Sequence, residues 1–341
     1  MRAKQLAIEL KKIFNSNDII RAHCLEGSPG GGKTSIIQQV VKQLNGWGYY
    51  ENHMPTMLVE DFGIPLTDAE SGTLKYLLPD WYPSIHRTDI PDKGVLCFDD
   101  RNQASADLQK VLANIIQART LHGVPMKEGW RIISTGNRQS DRAGANKILS
   151  HLRNRETVLE LETLLEDWTD WSLVNGVRQE LISFMHFRPN LLHDFDPQRD
   201  INPTPRAWVD GVNPVMGVVS KESEPEFFKG AVGEGAAAEF VGYLEICQSM
   251  PDPLRVLREP KVYPTDGDIK AFTMSVKYAL SGALSEHVTN KTIGNMISFL
   301  SRIEPEFCVL ALNCACRKQP ELQETDEFTA WAVKNQQYVI R

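Results

Sequence analysis

The spacing of apolar residues changes character about half-way along the chain. Up to residue 161, short apolar runs alternate with amphipathic stretches. Ala22–Leu25, Thr56–Val59, Val95–Phe98, Ile132–Thr135 and Thr157–Leu161 predict strands. Between them, Lys33 to about Leu44 predicts a helix with Ile36, Ile37, Val40, Val41 and Leu44 on one face. Leu108, Val111, Leu112, Ile115 and Ile116 recur at steps of three and four and predict another. At the start, Leu6, Leu10, Ile13 and Phe14 interleave with charges and predict a surface helix. Strands alternating with helices imply a parallel α/β sheet.

Past Leu161 the strand signals fade. Leu164–Val174, Gln179–Phe187, Ala236–Gln248, Ile269–Ala283 and Thr292–Ile303 predict helices, with joints rich in proline and charge at 194–205 and 251–264. The expected organisation is an α/β core over 1–162, a helical lid over 163–250 and a helical C-terminal region over 251–341. No internal repeat or low-complexity tract is visible.

Residues 27–34 read Gly27, Ser28, Pro29, Gly30, Gly31, Gly32, Lys33, Thr34, between a predicted strand and a predicted helix. That spacing and setting define a phosphate-binding loop. The glycines let backbone N–H groups turn inward, and the following helix points its positive end at the phosphates. Lys33 supplies a point charge to the β- and γ-phosphates of ATP, and the Thr34 hydroxyl a ligand for Mg²⁺.

Gly94 to Asp100 reads as four apolar residues running into two acids. A buried strand of this kind delivers Asp99 to the Mg²⁺ shell and Asp100 to the attacking water. The strand at Ile132 ends in Ser134, Thr135, Gly136 and Asn137, which places Asn137 to touch the γ-phosphate or the water. Three arginines then follow at Arg153, Arg155 and Arg206. A guanidinium suits a site where negative charge spreads over phosphoryl oxygens, because it stays charged and presents a planar fork.

The net charge of −7 excludes a sequence-wide attraction to nucleic acid or anionic membrane, while leaving room for a local basic patch in a pore. No apolar run reaches the ~18 residues of a membrane span, and the start of the chain does not read as a signal peptide. Cys24 and Cys97 fall in predicted buried strands, and Cys314 and Cys316 have no partner pair for a metal, so packing and a reducing cytoplasmic compartment are expected.

The chain resembles MoxR-like AAA+ ATPases, in particular a branch with a Gly-Ile-Pro and Pro-Asp-Trp segment, which also occurs in phages. Here that segment is Gly63-Ile64-Pro65 and Leu78-Pro79-Asp80-Trp81-Tyr82-Pro83. The likeness continues through 94–100, 128–138, 141–147, 165–171 and 202–208, and covers about residues 20–215. It implies an AAA+ core with a five-stranded parallel sheet and a helical lid. It also implies that Asn137 is sensor 1, Arg155 the finger entering a neighbouring subunit's site, Arg206 sensor 2, Arg153 the runner-up finger, and Arg138 and Arg142 weaker contacts. Members form rings, usually homohexamers, hydrolyse ATP with Mg²⁺ and often work with a von Willebrand factor A domain protein to remodel protein complexes.

One departure stands out. The second acid is usually glutamate and here is Asp100, one methylene shorter. Three functions stay open on the sequence: a motor acting on protein, a motor gripping nucleic acid, and a nucleotide-gated switch with slow turnover. The stretch Leu74–Tyr82 and the segment Leu121–Trp130, expected to form a hairpin, either face a pore or pack under the core. The stripe Phe272, Val276 and Leu280 either docks a partner or packs against its neighbours.

Overall fold

The computed structural model describes residues 1–138 and 148–336. They form two compact units, 1–164 with 195–198, and 165–194 with the chain from 199 onward.

Among the described residues the first unit contains nine strands: β1 (Ala22–Gly27), β2 (Gly48–His53), β3 (Ile64–Asp68), β4 (Thr73–Leu77), β5 (Lys93–Asp99), β6 (Thr120–Leu121), β7 (Val124–Pro125), β8 (Gly129–Asn137) and β9 (Glu156–Glu160). Five of them make one parallel sheet in the order β2-β5-β8-β1-β9. In β5, Val95 and Cys97 face one side while Leu96 and Phe98 face the other, the two-residue period of a strand buried on both faces.

Helices α1 (Ala3–Asn15) and α2 (Lys33–Lys42) cover the first side. Leu6, Leu10 and Phe14 pack with Ile37, Val40 and Val41 over Leu25, Val95 and Ile133. Helix α3 (Ala106–Ala118) covers the second, setting Leu108, Leu112, Ile115 and Ile116 on Leu96, Phe98, Trp130 and Ile132. Each fully buried side chain of this size contributes about 1.5–3 kcal/mol. The short α4 (Ser150–Arg153) leads into β9. Sheet order turns around at β1, and the site lies beyond the carboxyl ends of β1, β5 and β8, where open α/β sheets place their ligands.

The strand expected at Thr56–Val59 is absent. The edge strand is Gly48–His53, and two short 3-10 turns follow at Met54–Thr56 and Val59–Phe62. Pro55 lacks the N–H a ladder needs, and Asp61 accepts from the Leu58 backbone N–H at 2.8 Å to cap the second turn. An edge strand tolerates the polar Glu51, Asn52 and His53 because, among the described residues, it pairs only with β5. Strands β3 and β4, which the sequence pattern did not suggest, form a separate hairpin. The hairpin expected within Leu121–Trp130 is present in short form as β6–β7.

Of the aromatics in that region, Tyr82 is fully buried and its hydroxyl donates to the Val124 carbonyl at 2.8 Å. Tyr76 is exposed and stacks on His122 at the β6–β7 turn, with ring centroids 3.7 Å apart.

The second unit is helical: α5 (Leu165–Val174), α6 (Gln179–Phe187), α7 (Glu224–Val232), α8 (Glu234–Ser249), α9 (Pro253–Arg258), α10 (Asp266–Lys270), α11 (Met274–His287), α12 (Ile293–Leu300), α13 (Pro305–Lys318) and α14 (Asp326–Lys334). It has two apolar clusters. One gathers Phe184, Trp208, Phe228, Phe240 and Tyr243. The other gathers Val256, Leu284, Phe299, Leu300 and Phe307. Residues Ala207–Val212 form a π-helical segment, an irregularity frequent at functional positions.

The helix expected at Ile269–Ala283 is two helices, α10 and α11. Thr265 and Thr273 each cap a new start, Thr273 by accepting from the Val276 N–H. Leu280 is buried and Phe272 packs against the same cluster, so this stripe serves the unit's own core.

Candidate nucleotide-binding site

The cradle is assembled from local rules. Pro29 and Gly30 occupy the middle of a tight turn closed by the Gly31 N–H and the Ser28 carbonyl at 3.2 Å. Gly30 has φ 70°, the conformation that turn type demands after proline. Gly32, at φ 84°, then caps α2 in the left-handed region. A Cβ on Gly31 would come within 2.9 Å of the Thr163 hydroxyl oxygen, so the loop has no room for a side chain there. A Cβ on Gly32 would meet nothing within 4 Å, which marks the open side of the loop. This shape fits a triphosphate seated on backbone N–H groups at a helix N-terminus.

Lys33 is buried and folds back over the loop. Its Nζ donates to the Gly27 and Ser28 carbonyls, both at 3.0 Å, and to Asn137 Oδ1 at 2.9 Å. Asn137 is held in turn by Asn102, whose Nδ2 donates to the Asn137 carbonyl at 2.7 Å and whose Oδ1 accepts from the Asn137 N–H at 3.3 Å. Lys33 and Asn137 therefore meet, although 104 residues separate them in the chain.

The acids are placed as sharply. Asp99 Oδ1 accepts from the Thr34 hydroxyl at 2.5 Å and from the Thr135 hydroxyl at 2.7 Å. The Thr135 oxygen also accepts from the Asp100 N–H at 2.9 Å, so one hydroxyl pins both acids. Asp100 itself sits in the left-handed region at φ 51°, a conformation aspartate tolerates better than glutamate. That supplies a physical reason for the shorter acid here. A hydroxyl and a carboxylate in contact beside the phosphate loop are the oxygen donors Mg²⁺ takes.

Below the site lies a buried charge pair. Arg101 is fully buried, its Nε 2.9 Å from Glu156 Oε2 and donating to Ser134 Oγ at 3.0 Å. The Ser134 hydroxyl donates to Glu156 Oε1. Burial pushes the Glu156 carboxyl above its usual range, against the pull of Arg101. The pair ties together β8, β9 and the turn that carries the acids.

The other arginines separate. Arg153 pairs loosely with Glu26 at 3.4 Å. Arg138 pairs with Glu160 at 2.7 Å and donates to the Leu161 carbonyl at 3.0 Å. The Arg155 side chain, half-buried, makes no hydrogen bond or ion pair among the described residues. Because Ala22 pairs with Glu156, Arg155 lies level with Arg21, six residues before Gly27. That is ~20 Å along the strands at about 3.3 Å per residue, at the amino ends of the strands, whereas the cradle follows the carboxyl end of β1. Arg206 is exposed at the head of the π-helical segment in the second unit. Arg142, with the segment 141–147, lies outside the described residues.

Sequence reasoning missed Thr135, Asn102, Arg101 and His53. Thr135 carried a signal, since it directly precedes Gly136 and Asn137 at the end of a predicted strand. Arg101 and Asn102 directly follow the two acids but fit no motif, His53 stands in none, and strand register decides which partners the three meet.

Fold and site together define an AAA+ P-loop ATPase. Residues 22–155 match the AAA domain family of the dynein-related subfamily, so the chain carries a nucleotide-binding AAA domain. No curated protein is similar enough to count as a match. Among solved structures, a proposed ATPase from Cytophaga hutchinsonii is 14% identical over 92% of this chain and 79% of that one, with a TM-score of 0.33. NtrX from Brucella abortus in complex with ADP is 12% identical over 99% of this chain and 68% of that one, with a TM-score of 0.38. These likenesses are too distant to bear on function. Among the described residues, no helix is long and apolar enough to cross a membrane.

Proposed function

We propose that the protein is a MoxR-like AAA+ motor. It works as a homo-oligomeric ring, a hexamer by the family pattern, in which ATP·Mg²⁺ hydrolysis drives remodelling of a protein or protein complex. In this reading residues 1–162 are the ATPase core, 163–250 a lid and 251–341 a partner-binding region. A von Willebrand factor A domain protein is the partner class the resemblance suggests.

The observation that carries the reading is the place of Arg155. It stands farther from its own cradle than an arginine side chain extends, and it is unpaired among the described residues. A guanidinium there could reach phosphoryl oxygens only in a neighbouring chain's site, which supports an assembly of several chains. Arg153, engaged with Glu26, is the weaker candidate.

Within one chain the contacts support the following division of labour. Gly27 to Gly32 seat the phosphates, and Lys33 swings from its carbonyl partners to the β- and γ-oxygens. Thr34 and Asp99 hold the metal, which when bound neutralises phosphate charge. Asp100 orients the attacking water and accepts its proton. Asn137, braced by Asn102, reports the γ-phosphate, and sensor 2 is the role the family resemblance gives Arg206. The acidic chain offers no general attraction to phosphodiesters, which favours a protein substrate over nucleic acid. A second reading, a nucleotide-gated switch with slow hydrolysis, is favoured by the short carboxylate of Asp100.

The test is complementation. Arg155→Ala should bind ATP nearly as well as wild type and lose turnover, since the finger stabilises the transition state. Mixing it with Lys33→Ala chains should restore activity at interfaces where an intact cradle meets an intact finger. Absence of rescue in rings that exchange subunits refutes action in trans.

A further inference from the structure

His53 belongs to no motif, yet it stands at the metal-binding end of the site. It is the last residue of β2 and pairs in register with Asp99 on β5. Neighbours at the same level of a parallel pair project to the same side of the sheet. Its Nδ1 lies 3.2 Å from Asp99 Oδ2, while Asp99 Oδ1 is occupied by the Thr34 and Thr135 hydroxyls. Ligand atoms of His53, Asp99 and Asp100 all lie within 4.8 Å of one another, the one such group of three among the described residues.

We propose that His53 is a direct ligand of the metal ion that accompanies the nucleotide, and that the site therefore prefers first-row transition dications such as Mn²⁺ to Mg²⁺. The proposal rests on the reading of Thr34 and Asp99 as metal-holding residues. The separations let one cation bridge His53 and Asp99. Octahedral bonds of about 2.1 Å put adjacent ligands ~3.0 Å apart, and the His53–Asp99 separation of 3.2 Å matches that spacing.

The competing role is an ordinary surface pair, in which the half-exposed imidazole merely donates to Asp99. Two features argue for more. Asp99 is itself only 15% exposed and already satisfied on Oδ1 by two hydroxyls, so its orientation does not need a histidine. Asp100, fixed in the left-handed region, brings a second carboxylate to the same side.

The chemistry sets the preference. Mg²⁺ takes oxygen ligands and keeps its waters, whereas imidazole nitrogen binds transition dications more strongly. The Asp99 carboxylate, the Thr34 hydroxyl and the His53 imidazole make a mixed set in which the nitrogen discriminates between the two classes of ion.

The experiment uses the full chain labelled with ¹⁵N-histidine, loaded with Mn²⁺ and ADP. Pulsed electron paramagnetic resonance should show a nitrogen bonded directly to Mn²⁺. His53→Gln keeps an amide able to donate to Asp99 but has no imidazole. It should abolish that nitrogen coupling and lower the preference for Mn²⁺ over Mg²⁺ in ADP binding by at least about tenfold. Mn²⁺·ADP bound to wild type without nitrogen coupling overturns the proposal and leaves the Thr34–Asp99 site standing. A preference unchanged in His53→Gln also overturns it, assigning His53 to positioning alone. Failure of wild type to bind Mn²⁺·ADP overturns both together.

Discussion

Replacing Thr135 by valine keeps the shape of the side chain and removes the one oxygen that serves both acids. In the native site this hydroxyl donates to Asp99 Oδ1 at 2.7 Å and accepts from the Asp100 N–H at 2.9 Å. Loss of a hydrogen bond to a charged acceptor costs about 1.5–3 kcal/mol, and the Asp100 N–H left unpaired costs about 1–3 kcal/mol. The two share one atom and do not add, so a loss of roughly 2–4 kcal/mol in the stability of the first unit is expected. The larger effect falls on chemistry. Asp99 keeps its Thr34 contact, but the turn that fixes Asp100 loses its tie to β8. A displacement near 1 Å at a group that orients the nucleophile costs on the order of 10²-fold in rate.

The expected pattern for Thr135→Val is therefore a kcat 10- to 100-fold lower, with ADP affinity close to wild type because the cradle contacts of Lys33 and Asn137 are untouched. Thr135→Ser, which restores the hydroxyl, should recover most of the turnover. Steady-state ATPase rates, titration of a fluorescent ADP analogue and thermal unfolding of the three proteins measure the set. Wild-type kcat in a folded Thr135→Val protein, or a serine variant as slow as valine, refutes the argument that one hydroxyl organises both acids.

Lys33→Ala should lose tight ATP binding, read with a fluorescent ATP analogue; wild-type affinity would remove Lys33 from the phosphate site. Asp100→Asn should trap the ATP-bound form. Asp100→Glu should keep or raise turnover while costing about 1 kcal/mol of stability for the left-handed backbone, measured by ATPase assay and urea unfolding; an asparagine variant as fast as wild type would move the water-orienting role elsewhere. His186 sets a pH dependence in the second unit, where burial lowers its imidazole from 6.5 to about 4, opposed by Glu166. The unfolded chain then binds a proton that the folded one refuses. Stability from this group is complete above pH 6.5 and is lost as pH falls toward 4, by no more than about 3 kcal/mol. Unfolding curves across that range should flatten in His186→Gln, and an unchanged slope would deny His186 the role.

Much of the site was legible because its residues are consecutive. Gly27 to Thr34 and the pair Asp99–Asp100 are local patterns, each on a strand whose burial the apolar runs announce. The edge strand was not legible. Gly48–His53 carries little apolar signal because one of its edges pairs with nothing, whereas the more strand-like Thr56–Val59 is broken by Pro55 and a capped turn. The break in Ile269–Ala283 was hidden because a Thr cap leaves the apolar spacing undisturbed.

By itself the sequence determined the class of fold, the phosphate loop, the two acids and the order in which polar residues close the strands. These follow from periodicity and from turn chemistry within a few residues. Only the tertiary structure decided that Thr135 ties both acids, that Asn102 braces Asn137, that Arg101 is buried against Glu156 beneath the site, that Arg155 lies at the amino ends of the strands, and that His53 faces Asp99. Those relations join residues tens of positions apart, and they depend on strand order and register. The backbone ladder fixes both, and no single stretch of the chain contains them.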